Sequence, residues 1–437
     1  MVNTTFDINI LKINWNKITP QYLTYTSMWQ LKKIAVGVGL IILLELLKKF
    51  LQFKQHDAPY FYFFTNLLSC YQLLILLYCI ISLALEELIL KRFFKHKYKI
   101  LGAAFFVALF LVCELVAAYF LFQPKSISKG LRLYQRYYRE IDMNVIQFKK
   151  ESSEYNKKLF YKLKDNTEFV YRNREFSNSF QTNSQGFRDD EASLKQPSII
   201  FLGDSYTLGW GVEENETYGS VVEHLTGLKG LNTGASSYGT ARQSMVLSSL
   251  DTSNVEFIIW QYCYNDAVEN KTYTDSSFNL PIRTENEFNK LVKFYGWNAA
   301  YFPGKYFLTI LNLSRKNLVK KPVNIAAEKV KLNVMAQKEA EMFMNILAKS
   351  NINWNRTKVI VIELNYWERH SEFINALQKL CNENPVKEKL MGNLYPIDIK
   401  AILRKEDYYI LDVHLTKQGN FKVGEHLAKT IQKLQTK

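Results

Sequence analysis

Long apolar runs crowd the first quarter of the chain, whereas the remainder alternates short runs of strand length with helical patterns. Ile100 to Phe122 is nearly unbroken, with Glu114 its only charge, and matches the ~20 residues that a bilayer core requires. Asn66 to Leu85 is a second candidate span, with Gln72 its most polar interior group. Ile34 to Leu47 is shorter, because Glu45 and Lys48-Lys49 interrupt it. It reads either as a span with snorkelling lysines or as an interfacial amphipathic helix, and spanning is the preferred expectation. An intramembrane carboxylate such as Glu114 marks a functional or partner-facing position by default. A packing or partner-facing role is expected for it over catalysis. This part of the chain divides into an arm, 1–33, and a membrane region, 34–123, of two to three helices.

From Pro124 to about Lys164 the pattern turns polar and charge-rich, and it predicts a helical stalk within a linker over 124–180. Asn183-Ser184-Gln185-Gly186-Phe187-Arg188 reads as a turn leading into a docking segment. Ser198 to Leu202 is then a continuous apolar run, the signature of a strand buried on both faces. Further strands are expected near Leu231-Asn232, at Val255 to Trp260, at Val359 to Leu364 and at Asn393 to Ile397. Helical patterns fall at Thr217 to Leu228, Ala241 to Ser249 and Lys417 to Gln432. This alternation implies an α/β domain over 181–437 with a doubly wound parallel sheet, and ligands bind such sheets beyond the carboxyl ends of strands. Residues 270 to 350 interrupt the rhythm as an insertion. They carry Phe294, Tyr295, Trp297, Tyr301 and Phe302 and a long amphipathic helix from Ile325 to Leu347. That insertion could shape a groove, touch a membrane or pack on the sheet.

Composition sharpens this in two places. A formal charge of +15 could suggest nucleic acid, but no zinc pattern, helix-turn-helix signature or aromatic-interleaved basic strand accompanies it. Part of the excess flanks the apolar runs instead. The stretch 91–99 holds five basic residues and no acid, and short basic loops stay cytoplasmic. The third span then runs outward, with everything after about Gln123 on the outer side and the arm 1–33 inside. The three lysines of Lys48 to Lys54 oppose that orientation. No cleavable signal peptide is expected, because the first apolar run starts late and lacks a small-residue cleavage site. Five cysteines are too few for a disulfide-built scaffold. No bridge is expected between Cys263 and Cys381.

Four short stretches carry chemistry: Gly203-Asp204-Ser205, Asn232-Thr233-Gly234, Asn265-Asp266 and Asp412-Val413-His414. In that order they supply a nucleophile, two places for oxyanion donors, and a base with an orienting carboxylate, the inventory of serine-based acyl transfer. A serine directly after a buried strand has its hydroxyl exposed at the sheet edge. With the continuation Tyr206-Thr207-Leu208-Gly209-Trp210-Gly211-Val212, the chain resembles the SGNH (GDSL-type) hydrolase family over about Asn183 to Leu434, most of all its bacterial members.

The resemblance implies a flavodoxin-like three-layer α/β/α domain. It also implies catalytic Ser205, His414 and Asp412, and an oxyanion hole formed by Ser205, Gly234 and Asn265. Two departures stand out: Cys263 replaces a glycine of the third block, and Asp412 lies two residues before His414 where many members have three. Asp407 is the fallback carboxylate. His56, His96, His224, His370 and His426 lack a motif context, and neither a cofactor nor a metal is expected. The expected activity is a membrane-anchored serine esterase acting on O-acyl, notably acetyl, esters of an envelope glycan or lipid. It would lie in the bacterial cytoplasmic (inner) membrane with the catalytic domain on the outer (periplasmic) side. Two alternatives stay open: an O-acyltransferase of a surface polysaccharide working with a multi-span membrane acyltransferase partner, and a catalytically silent binding module.

Overall fold

A computed structural model describes residues 32, 34–49, 68–69, 71–80, 99, 102, 105–119, 121 and 145–436, apart from 173–174, 300, 318–324, 368–371 and 384–391. The chain forms two compact units, Met1–Cys113 and Glu114–Lys437. In the first unit 34–49 and 71–80 are helical. Gln72 donates its amide to the Ile41 carbonyl (3.1 Å) and to Glu45 (3.0 Å), and Lys48 also meets Glu45 (2.9 Å). The polar groups of this apolar region thus satisfy one another, while Val36, Leu43, Leu46, Leu73 and Leu74 are exposed. Among the described residues no helix is long and apolar enough to cross a membrane, where the apolar pattern predicts two to three. Apart from residues 32 and 99, the arm 1–33 and the basic stretch 91–99 lie outside the described residues, as does 122–144.

The second unit is built on a five-stranded parallel sheet: β5 (Ile199–Leu202), β6 (Gly230–Asn232), β7 (Phe257–Tyr262), β8 (Lys358–Glu363) and β9 (Leu394–Ile397). They lie in the order β6-β5-β7-β8-β9, all parallel to their neighbours. The pattern predicts a doubly wound parallel sheet, and this strand order is the flavodoxin-like one that the resemblance implies. Every residue of β5 and β7 is buried, which only strands covered on both faces require. Pro396 sits in edge strand β9, where its missing N–H breaks no ladder.

Helices cover both faces of this sheet. On one, Tyr218 and Val222 of α2 (Tyr218–Thr226) and Val423, Leu427 and Ile431 of α9 (Lys417–Gln435) pack on Phe201, Ile259 and Ile360. On the other, Phe343 and Leu347 of α7 (Ile325–Lys349) join Phe373 and Leu377 of α8 (Phe373–Glu383) against Ile258, Trp260 and Val361. The long amphipathic helix of the insertion is therefore a sheet-covering helix, and Tyr262 adds a hydrogen bond to its Glu339 (2.9 Å). Before it, α5 (Glu285–Ala299) and α6 (Lys305–Asn317) extend the insertion, with Phe294 and Trp297 exposed. Glu114 is buried, and its carboxylate accepts the Tyr306 N–H (3.1 Å) and Phe307 N–H (2.7 Å) at the start of α6. Of its two expected roles, packing within the chain is the one observed.

The described part of the expected helical stalk holds no α-helix, only one 3-10 turn and strands. After a turn at Ile146–Phe148 come two antiparallel hairpins: β1 (Ser153–Asn156) with β2 (Phe160–Leu163), and β3 (Glu168–Arg172) with β4 (Ser177–Gln181). Aromatic residues (Tyr155, Phe160, Tyr161, Phe169, Tyr171 and Phe180) favour strand over helix here. The hairpins are no spacer either. Ile146, Leu163, Tyr171 and Phe180 share a cluster with Leu208 and Trp210, and Phe160 and Tyr161 pack with Tyr238 and Phe288. The expected turn 183–188 does form: Asn183 Oδ1 accepts the Gln185 and Phe187 N–H groups (3.1 Å each), and Gly186 takes a positive φ of 82°.

Candidate active site

β5 runs straight into the nucleophile candidate. The chain leaves β5 for one edge of the sheet through β6 and then returns to the other side through β7, so the end of β5 is the topological switch point. A side chain at Gly203 would collide with Thr207 and Gln261. Asp204 then caps α1 (Ser205–Leu208), accepting the Tyr206 N–H (3.0 Å). Gln261, a buried polar residue within β7, accepts the Asp204 N–H (3.0 Å) and the Thr207 hydroxyl (3.1 Å). α1 stops at Gly209, whose φ of 81° suits glycine.

Buried Arg188 fixes the segment that follows. Its guanidinium donates to the carbonyls of Leu208 (3.1 Å), Gly209 (2.7 Å) and Val212 (2.8 Å), and to Ser179 of β4 (2.9 Å), while lying over the Phe180 ring. Burial pulls its pKa down to about 10.

The loop before α9 brings the remaining acid–base candidates to this point. Ser205 Oγ lies 2.7 Å from His414 Nε2, and His414 Nδ1 lies 2.5 Å from Asp412 Oδ1. The Asp412 carboxylate accepts a hydrogen bond from Nδ1–H, which keeps the ring proton there and leaves the Nε2 lone pair facing the serine hydroxyl. Asp412 is buried. Its Oδ1 also accepts the His414 N–H (3.1 Å), and its Oδ2 accepts the Trp210 indole N–H (3.2 Å). Trp210 stacks on the imidazole, ring centres 5.1 Å apart, and the Tyr206 hydroxyl donates to the Val413 carbonyl (3.0 Å). Two-residue spacing between acid and histidine is thus enough for a direct contact. Asp407 is engaged elsewhere, with the Arg404 N–H (2.7 Å) and Lys422 (2.8 Å).

The oxyanion candidates converge on the same place, and two of them meet acceptors of the protein itself. Ser205 is the first residue of α1, whose N–H groups have no partner within the helix. The Gly234 N–H donates to Asn232 Oδ1 (3.0 Å), and Asn232 Nδ2 donates in turn to the Thr207 carbonyl (2.9 Å). A side chain at Gly234 would strike the backbone of Thr207 and Leu208, so glycine lets this loop lie on α1. Asn265 Nδ2 reaches Asp204 Oδ2 at 3.5 Å, a long contact that leaves the amide weakly committed. Burial raises the Asp204 and Asp266 carboxyls above their ordinary value, and Asp266 Oδ1 has no partner.

Three residues of this site have no motif in the sequence. Asn365, just beyond β8, accepts the Tyr264 N–H (3.0 Å) and the Cys263 thiol (3.3 Å), which fixes the loop carrying Asn265. Burial pushes the Cys263 thiol well up, and that thiol is free. Gln261 and Arg188 are the other two. The signal for Gln261 was present, as the one amide in an otherwise apolar strand. A cavity of about 130 Å³ opens beside these loops, lined by Glu363, Asn365, Trp367, Asp398, Lys400 and Tyr408 among others. Among the described residues no group of three or more His, Cys, Asp or Glu side chains could hold a metal ion.

No family model matches the sequence, and the search of curated proteins gave no match. Several solved structures are similar. A protein of the G-D-S-L family from Desulfitobacterium hafniense DCB-2 is 12% identical over 53% of this chain and 97% of its own, with a TM-score of 0.28. The lipase Lip_vut3 from a goat rumen metagenome is 16% identical over 52% of this chain and 94% of its own, at 0.27. A carbohydrate esterase family 2 enzyme with a carbohydrate-binding domain, from Corynascus thermopiles (Myceliophthora fergusii), is 15% identical over 58% of this chain and 71% of its own, at 0.25.

Proposed function

We propose that the chain is an SGNH-type serine esterase. The observation that carries this reading is the unbroken relay from Ser205 Oγ to His414 Nε2 (2.7 Å) and from His414 Nδ1 to Asp412 (2.5 Å) at the carboxyl end of β5. In the reaction, His414 takes the hydroxyl proton as Ser205 Oγ bonds to the ester carbonyl carbon. The carbonyl oxygen becomes an oxyanion, held by the N–H groups of Ser205 and Gly234 and the Asn265 amide. Collapse of this intermediate breaks the bond to the leaving alcohol, which departs with the proton from His414. Water, deprotonated by the same imidazole, then releases the acid and restores Ser205. Asp412 holds the imidazole in the required tautomer and stabilises its charged form. For the oxyanion, Gly234 and Asn265 exchange their contacts with Asn232 and Asp204.

The proposed substrates are O-acyl, notably acetyl, esters of an envelope glycan or lipid, met at the outer face of the cytoplasmic membrane. This placement is supported by the apolar run 100–122, the basic stretch 91–99 and the exposed apolar side chains of 36–47 and 105–116. Labelling with a fluorophosphonate probe tests the nucleophile: the wild-type chain should react and Ser205→Ala should not. Equal labelling of both rejects the reading. Products from a model acetyl ester with and without a glycan acceptor separate hydrolysis, which yields free acetate, from acyl transfer to sugar, which would replace the esterase reading.

A further inference from the structure

Behind the site, the second hairpin reaches the loop that carries Asp412. Glu175, between β3 and β4, accepts three successive backbone N–H groups: Ile410 on Oε1 (2.8 Å), and Leu411 (2.8 Å) and Asp412 (2.6 Å) on Oε2. Consecutive N–H groups converging on one point form the kind of nest that binds anions. Here the anion is a side chain supplied from 235 residues earlier in the sequence. Its neighbours reinforce the grip. Phe176 packs on Tyr409 with ring centres 5.1 Å apart, and the Tyr409 hydroxyl donates to Gly211 (2.6 Å). Tyr171 of β3 packs on Trp210 (4.6 Å), the indole that stacks on His414. Asp412 is therefore held at both ends, its N–H by Glu175 and its carboxylate by His414 and Trp210.

We infer that Glu175 is a positioning residue for the acid–base pair, acting through the backbone of 410–412 to set where Asp412 holds the imidazole. The inference rests on the reading of Ser205, His414 and Asp412 as the catalytic groups. It also gives the hairpin β3–β4 a part in catalysis. Burial raises the Glu175 carboxyl above its ordinary value; the three N–H bonds oppose that shift, and the neighbouring Asp412 charge adds to it. The carboxylate is retained in a place that disfavours its charge, where three converging N–H groups need an anion.

The test compares Glu175→Ala, Glu175→Gln and the exposed hairpin control Glu168→Gln in the full chain, with p-nitrophenyl acetate as substrate. Active sites are titrated with the fluorophosphonate, so that unfolded protein drops out of kcat. Displacing a catalytic group by a fraction of an ångström to one ångström costs between about tenfold and a hundredfold. The expected result is that kcat falls by this amount in Glu175→Ala and by less in Glu175→Gln, which keeps one acceptor oxygen. KM should stay within about twofold, because substrate contacts are untouched. The downfield imidazole proton between His414 and Asp412 should shift or broaden in the same order, and Glu168→Gln should match wild type. Wild-type kcat and an unmoved proton resonance in Glu175→Gln, or in Glu175→Ala where that variant folds, overturn the inference. Labelling that survives in Ser205→Ala would instead sink the esterase reading itself, a separate outcome.

Discussion

Ser205 and His414 meet across 2.7 Å, yet the loops that carry them are fixed by different means. The start of the nucleophile loop is organised from within the sheet. Gly203 follows β5 directly, Asp204 caps α1 and the Gln261 amide lies in β7, and the apolar pattern already dictates both strands. The histidine loop has a second support besides the Tyr206 hydroxyl on its Val413 carbonyl. Its residues 410–412 turn their N–H groups to Glu175, and its ring rests on Trp210, which rests on Tyr171. The nucleophile loop starts from the core of the domain, while the histidine loop leans also on an accessory hairpin that a motif search leaves out. A site can thus look complete in its motifs while part of its support comes from elsewhere.

Arg188 is where the contrast breaks most severely, because this side chain joins the hairpin to the end of the nucleophile loop. Arg188→Met removes four hydrogen bonds and strands buried carbonyls, each worth about 1–3 kcal/mol when left unpaired. A net loss of about 4 kcal/mol in urea-unfolding stability is expected, together with loss of probe labelling. A variant as stable as wild type would show that the nucleophile loop needs no support from the hairpin.

Asn265→Ala sharpens the comparison from the sheet side. Loss of one oxyanion donor costs about 10²–10³ in kcat, while the Ser205–His414 contact, and so basal probe labelling, should persist. A kcat within about threefold of wild type would remove Asn265 from the oxyanion hole.

The smallest expected effect concerns Asp266, buried beside the nucleophile loop. Its folded pKa is raised above the ordinary 3.8 by burial first and by the Asp204 charge second. The folded state therefore keeps a proton that the unfolded chain gives up. Stability is then greatest in acid and falls as pH rises from the unfolded value through the raised folded one. Asp266→Asn removes this dependence. Urea midpoints at about pH 4.5 and about pH 7.5 should differ less in the variant than in wild type. An unchanged difference would mean that Asp266 ionises in the fold as it does in the unfolded chain.

Much of the domain was legible in the sequence because its physics is local. Continuous apolar runs of four to six residues between turn signals read as strands buried on both faces, and β5, β7 and β8 fall within two residues of their expected limits. α9 begins at Lys417 as expected, behind a Thr416 cap. The hairpins of 153–181 were missed for an equally physical reason. Their burial is irregular from strand to strand, and a charged surface over short strands imitates a polar helix. The insertion was legible as an interruption, and the sequence left open that α7 would cover the sheet.

By itself the sequence determined the apolar strands of the sheet and their order along the chain, and it singled out Ser205, Gly234, Asn265 and His414, with Asp412 preferred over Asp407, as candidates for acyl-transfer chemistry. Periodicity and residue type are properties of neighbouring positions, and they survive without a fold. Only the tertiary structure decided which acid reaches the histidine, because Asp407 and Asp412 have the same chemistry and differ in where the loop turns. It also decided the roles of Arg188, Gln261, Asn365 and Glu175. Each of these satisfies backbone groups far away in the chain, and an unpaired N–H or carbonyl becomes costly only once folding has removed its water.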